Sequence, residues 1–136
     1  MRTTEKTISI SFDGHDQSFR LRKMDAFSGA CLLKFATEKL LPRMSENEDQ
    51  TRSFAFSDIL SALSEPDLIS LMTRCLSHVD ILLPAGPHPV YQNQIFGLPE
   101  LETDTLTCLN LCWEEMLFNL EGFFGESGSP SAANPN

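Results

Sequence analysis

The amino-acid sequence predicts an α+β fold, a mostly helical single domain in which an N-terminal β-hairpin packs on about four helices. Two observations predict this fold. Apolar and polar residues alternate strictly along Lys6–Phe12, which is the period of a half-buried strand. Farther along the chain, apolar residues recur every three or four positions, which is the period of an amphipathic helix. We expect the domain to span residues 1–124, with a flexible, Gly/Ser/Pro/Asn-rich tail over residues 125–136.

The predicted hairpin covers residues 6–22. Residues Asp13–Asp16 have turn chemistry, and they separate two alternating segments. Phe19 and Leu21 continue the apolar side along the second segment. Because an isolated hairpin is not stable in water, we expect its apolar face to lie against helices.

Four helices are predicted, over about residues 26–41, 57–63, 65–77 and 104–120. Asp25 is suited to cap the first helix, and Ser64 opens a stretch that resembles a capping box at the start of the third. The first helix is expected to bury one face that comprises Phe27, Ala30, Cys31, Phe35 and Leu41, widened by Leu32, Leu33 and Leu40. Gly29 within that helix indicates close contact with another element.

Residues 79–92 leave two structures open. Val79–Leu83 is rich in β-branched and aliphatic residues, which favours a strand. Three prolines then follow within Pro84–Pro89, which favours an irregular, rigid loop. The sequence is therefore compatible with a second hairpin or with a proline-rich loop at this place.

The charge of the chain restricts its partners. The 136 residues include 10 basic and 19 acidic ones, which gives a formal net charge of −9. An acidic protein of this size repels phosphate backbones, so no nucleic-acid partner is expected. We also expect no signal peptide and no membrane span, because no stretch approaches about 20 apolar residues. Basic residues concentrate in the N-terminal third and acidic ones beyond it, a distribution that suits self-association into a homo-oligomer.

No pattern in the sequence predicts catalysis or a cofactor. Cys108 and Cys112 are four apart on a predicted helix, but no second pair of ligands at zinc-site spacing accompanies them. The glycines never cluster as they do in a phosphate-binding loop. We expect all four cysteines, the other two being Cys31 and Cys75, to be reduced and buried. The expectation is a binding protein without catalytic residues, metal or cofactor.

The helix over residues 104–120 has the largest apolar face of the chain. Its apolar face comprises Leu106, Leu109, Trp113, Met116, Leu117 and Leu120. Phe123 and Phe124 follow directly, before the polar tail. Such a helix either closes the core of its own domain or offers a docking surface to a partner, and the pattern leaves both roles open.

Both ends of the domain resemble the tail assembly chaperones of long-tailed bacteriophages and prophages. At the N-terminal end, a strand-turn-strand closes on Phe19–Met24 (FRLRKM) and passes directly into a helix. At the C-terminal end, a helix runs into Leu117–Phe124 (LFNLEGFF), which is similar to the Asn-x-x-x-Phe-Phe ending of that family. The proline-rich Pro84–Pro89 region has no counterpart in the resemblance.

The resemblance implies a non-enzymatic chaperone that acts in the host bacterial cytoplasm and is absent from the mature virion. It implies binding to the tape-measure protein, which the chaperone keeps soluble, and recruitment of tail-tube protein, often through a longer, frameshifted form. Tape-measure helices expose apolar stripes, so we predict that an aromatic surface covers one of them. The predicted partner-binding residues are Trp113, Phe118, Leu120, Phe123 and Phe124.

Two other functions fit the same composition. A chaperone of the type III secretion kind is also small, acidic and cytosolic, although its fold begins with a helix and this chain begins with a hairpin. A structural tail or head-joining subunit would instead stay in the virion.

Overall fold

The computed structural model describes residues 3–40, 60–61 and 63–121. Its elements in chain order are β1 (Glu5–Phe12), β2 (His15–Arg22), α1 (Ala26–Phe35) with a π-helical continuation (Ala36–Leu40), α2 (Glu65–Leu76), β3 (Val79–Leu83), β4 (Gly86–Pro89), β5 (Tyr91–Gln92), β6 (Ile95–Phe96), α3 (Pro99–Glu102) and α4 (Thr105–Leu120). About 50% of the structure is helical and 30% is strand. The α+β class is therefore confirmed, whereas a mostly helical domain of about four helices is not. Most of the helix predicted over residues 57–63, and the tail over 125–136, lie outside the described residues.

The turn of the predicted hairpin is built from two residues with positive φ. Asp13 has a φ of 54° and Gly14 a φ of 83°, and Phe12 lies opposite His15. A two-residue loop with both central φ values positive matches the twist of the strands it joins, and Asp-Gly is among the sequences that tolerate it best. The predicted β1–β2 hairpin is confirmed, with strands slightly longer than expected.

The hairpin is one half of a four-stranded antiparallel sheet with the order β1-β2-β3-β4. Strand β3 pairs with β2 so that Ile81 lies opposite Phe19 and Val79 opposite Leu21. Residues 79–92 thus contain a second hairpin, formed by β3 and β4, and the alternative of a rigid loop is wrong for that segment. A small two-stranded sheet, β5-β6, follows it.

A buried carboxylate fastens β2 to β3 on the sheet face that carries the polar residues. Asp80 is 5% exposed, and its Oδ2 accepts hydrogen bonds from Arg20 Nη2 at 2.8 Å and from Arg22 Nε at 3.1 Å. Two charge-assisted donors compensate the burial of this carboxylate. The central strand pair is therefore fixed by ionic as well as backbone contacts.

Short polar side chains begin the three longest helices. Asp25, Ser64 and Asp104 accept hydrogen bonds from first-turn N–H groups of α1, α2 and α4 at distances between 3.1 and 3.3 Å. These bonds satisfy donors that have no partner inside the helix. The predicted starts of the helices at residues 26, 65 and 104 are confirmed to within one residue.

Helix α4 lies between two apolar clusters. The sheet cluster joins β1, β2 and β3 to α4, and it comprises Phe12, Phe19, Leu21, Leu76, Val79, Ile81, Val90, Leu101, Cys108, Leu111 and Phe118. The helical cluster joins α1 and α2 to the other side of α4, and it comprises Leu32, Ala36, Leu71, Cys75, Cys112, Trp113, Met116 and Leu120. Because α4 contributes to both clusters, it is buried around most of its circumference.

Helix α1 buries only part of the face predicted for it, because Leu33 and Phe35 pack against the helical cluster but Phe27 and Cys31 do not. Leu32 and Ala36, one turn apart, enter the helical cluster, whereas Phe27 is 85% exposed and Cys31 is exposed. Phe27 precedes Leu32 by five positions, which places the two residues on different sides of the helix. Among the described residues, no atom lies within 4 Å of a methyl group placed at Gly29, so the close contact expected at Gly29 is not found there.

Candidate partner-binding surface

The predicted partner-binding residues on α4 belong to the core of the domain. Trp113 is 8% exposed and Leu120 5% exposed in the helical cluster, and Phe118 is 4% exposed in the sheet cluster. The structure thus divides these residues between two sides of α4 instead of bringing them together on one surface. Their part in partner binding stays a prediction, and Phe123 and Phe124 lie outside the described residues.

The last turn of α4 is held by the segment that joins β2 to α1. Lys23 donates a hydrogen bond from Nζ to the carbonyl oxygen of Phe118 at 2.6 Å, and its ammonium lies 4.3 Å from the centroid of the Phe118 ring. The backbone N–H of Met24 donates to Asn119 Oδ1 at 2.8 Å. These contacts compensate a carbonyl group near the helix end and add a cation–π interaction. They hold the last turn of α4 against the segment that joins β2 to α1.

Glu115 is a fully buried carboxylate within the same region of α4. It is 0% exposed, its Oε2 accepts a hydrogen bond from Asn119 Nδ2 at 2.7 Å, and its Oε1 has no hydrogen-bond partner among the described residues. Burial raises the pKa of Glu115 to about 8, against the opposing effects of the Asn119 hydrogen bond and of the charges on Arg22 and Lys23. At neutral pH the carboxyl group is therefore mostly protonated.

Sequence reasoning missed Glu115 because glutamate on a helix ordinarily faces solvent. The available signal was its spacing. Cys108, Cys112, Glu115 and Asn119 follow one another at intervals of three or four positions, so Glu115 continues a stripe that begins with apolar residues.

A small apolar cleft lies between α2 and α4. The lining of this cleft, called here the α2/α4 cleft, consists of Leu60, Leu68, Leu71, Leu109, Cys112, Trp113 and Met116. Leu106 lies one turn before Leu109 on α4 and is 71% exposed. Trp113 is the predicted site residue that lines this cleft. The cleft has a volume of about 10 Å³, room for about one water molecule, so the apolar area offered to a partner helix is that of Leu106.

Two buried cysteines of the core, Cys75 and Cys108, have raised thiol pKa values. Burial raises the pKa of Cys108 to about 11, and a hydrogen bond with Cys112 together with burial raises the pKa of Cys75 well above its ordinary value. A thiol with a raised pKa is a poor nucleophile and a poor metal ligand at neutral pH. Over the described ranges, no group of three or more potential metal-ligating side chains lies together, and no helix is long and apolar enough to cross a membrane.

A comparison with models of known protein families gives a match over most of the chain. The family model described as phage tail assembly chaperone protein, TAC, matches residues 14–131. No curated protein and no solved structure matches the chain. The matched segment runs from the turn of the first hairpin through every helix described above, and it covers most of the sequence. The chain therefore belongs to the phage tail assembly chaperone family.

Proposed function

We propose that this chaperone binds the tape-measure protein in the host bacterial cytoplasm and keeps it soluble while the tail assembles. Membership of the family implies interaction with tail proteins. The proposal adds the identity of the first partner, action without catalysis, and absence from the mature virion. It also includes recruitment of tail-tube protein, through a longer product of the same gene.

The observation that carries the proposal is Leu106, a leucine exposed on α4 beside the α2/α4 cleft. A long helical partner that exposes an apolar stripe aggregates through that stripe unless another apolar surface covers it. Leu106, Leu109 and Trp113 follow one another at i, i+3 and i+7, the spacing at which one helix meets another. We infer that the tape-measure helix lies along this part of α4.

Co-expression with the tape-measure protein tests the proposal. We expect a soluble complex that co-purifies, where the tape-measure protein alone aggregates. A tape-measure protein that stays insoluble, or that is soluble without forming a complex, would count against this function.

A matched pair of variants tests the binding surface. Leu106→Glu places a charge beside the cleft, and we expect it to weaken the complex about tenfold, because loss of one good apolar contact costs about 1.4 kcal/mol. Ile95→Glu is the control, since Ile95 is 68% exposed, close to the 71% of Leu106, but lies in β6. Equal weakening by both variants would mean that added charge, rather than the cleft, determines binding.

Mass spectrometry of purified particles tests the last part of the proposal. A chaperone that leaves the tail before completion is missing from the particle, whereas a structural tail or head-joining subunit is present in it. Detection of this chain in mature virions at the level of a tail subunit would overturn the proposed absence.

A further inference from the structure

The two edges of the four-stranded sheet differ in their capacity to accept another strand. The β4 edge is four residues long and contains Pro87 and Pro89, which lack the backbone N–H that a strand pair needs. The β1 edge is eight residues long, contains no proline, and pairs with β2 without a bulge. Within the part of the chain that the structure describes, no strand lies beyond β1. One edge is thus blocked and the other is open.

The register identifies the backbone groups on the open edge. Lys23 N–H donates to the carbonyl oxygen of Thr4 at 2.9 Å, and Glu5 lies opposite Arg22 in the hairpin. Because hydrogen-bonding direction alternates along an antiparallel strand, even-numbered residues of β1 direct their backbone groups toward β2. The odd-numbered residues Glu5, Thr7, Ser9 and Ser11 therefore direct theirs toward the open edge.

The apolar side chains of β1 are incompletely covered. Ile8 and Ile10 pack on the sheet cluster but remain half-buried, whereas Phe12 is 5% exposed. A further strand beside β1 would cover the open sides of both isoleucines and extend the apolar face of the sheet.

We propose that β1 pairs antiparallel with β1 of a second copy of this chain, with Ser9 of each copy opposite Ser9 of the other. This register joins odd-numbered residues by hydrogen bonds and places Ile8 of each copy opposite Ile10 of the other. It forms one eight-stranded sheet from two domains. Since the β4 edges are blocked by proline, the pairing closes as a two-fold dimer and does not propagate into fibres.

The charges at the two ends of β1 favour a second copy in this orientation. Lys6, Arg20, Arg22 and Lys23 lie near the start of β1 and outnumber the acidic Glu5 and Asp80 beside them, whereas Asp13 and Asp16 lie at the turn. Antiparallel pairing about Ser9 brings the net positive start of each strand near the acidic turn of the other copy, and it also sets Glu5 of each copy opposite Asp13 of the other. A parallel arrangement would instead bring basic residues together.

The mass of the isolated chain in solution tests the dimer without any tail protein, so its outcome is independent of the proposed function. We expect sedimentation at twice 15.2 kDa for the wild type. Ser9→Lys sets two like charges directly opposite each other, and we expect the dimer Kd to rise about fivefold. Ser18→Lys is the matched control, because Ser18 lies opposite Ser9 in the same sheet and is also exposed, but it is on β2. A wild type of 15.2 kDa, or equal effects of both variants, would overturn the proposal.

Cross-linking tests the register itself, in a Cys31→Ser background because Cys31 is exposed. Opposed Ser9 Cα atoms would lie about 5.5 Å apart, which is within the range that a disulfide spans. We expect Ser9→Cys to form a covalent dimer under mild oxidation. Ser18→Cys should not, since three strand spacings, about 14 Å, would separate the two thiols. Absence of the Ser9→Cys cross-link, or equal cross-linking of the two, would refute pairing about Ser9.

Discussion

Replacement of Glu115 by glutamine should change how the stability of this chaperone depends on pH. A carboxyl group whose pKa is raised in the folded state stabilises the fold at low pH, and that contribution is lost as pH rises toward the folded pKa. For Glu115 the ordinary value is 4.5 and the folded value about 8, so the loss falls between these two pH values. Glutamine keeps the shape and the acceptor oxygen for Asn119 but does not titrate.

The size of the effect follows from the shift. Each pH unit between the two pKa values is worth about 1.4 kcal/mol, and integration from pH 5 to pH 7 gives about 2.5 kcal/mol of lost stability in the wild type. The Glu115→Gln variant should lack this loss. Its own amide adds a buried donor, which costs about 1 kcal/mol at every pH. We therefore expect the variant to be less stable than the wild type at pH 5 and at least as stable at pH 7.

Urea unfolding followed by circular dichroism at pH 5, 6 and 7 measures this difference. Glu114→Gln is the control, because Glu114 is the half-exposed neighbour on the same helix and its replacement removes the same side-chain carboxyl group. Parallel stability curves for the wild type and Glu115→Gln would refute the reasoning, since they would mean that Glu115 is ionised in both states.

Two further predictions concern backbone space and the C-terminal aromatic pair. A methyl group at Gly97 would overlap the carbonyl oxygen of Pro89, so Gly97→Ala should lower the unfolding free energy by about 1–3 kcal/mol. No described atom lies near a methyl group at Gly29, so Gly29→Ala should raise the unfolding free energy by up to about 1 kcal/mol. Thermal unfolding of the two variants checks both signs. Replacement of Phe123 and Phe124 by alanine should leave the thermal unfolding transition largely intact, while the amount of tape-measure protein that co-purifies falls. Loss of the thermal transition together with binding would instead assign both rings to the core.

The parts of the fold that sequence predicted well are those that local chemistry determines. The Asp13-Gly14 turn sets its own hairpin, and Ser64 and Asp104 mark helix starts through bonds to residues three positions away. The sequence does not decide between a hairpin and a loop for residues 79–92, for two reasons. The place of β3 in the sheet depends on β2, which is far away in sequence, and Pro87 and Pro89 in β4 are typical of a loop. Pairing across such a distance leaves no local pattern.

The candidate site was harder to predict than the fold, for a physical reason. A helix that closes a core and a helix that docks a partner both need an apolar face, so Trp113 and Phe118 satisfied either role equally well. Their division between two clusters depends on α4 lying between the sheet and the other helices, which periodicity does not encode. The exposed Leu106 could be separated from its buried neighbours only once the packing of α2 on α4 was known.

The order of strands in the sheet also bears on how the chain folds as it is synthesised. The β1–β2 hairpin leaves the ribosome first, but β3, which covers the side of β2 away from β1, begins only at Val79, after α1 and α2. At ordinary rates of synthesis this delay lasts on the order of seconds. During it, Phe19 and Leu21, both 0% exposed in the finished domain, have neither β3 nor α4 to cover them. The protein that is proposed to cover the apolar surface of another chain therefore exposes apolar core residues of its own while it is synthesised.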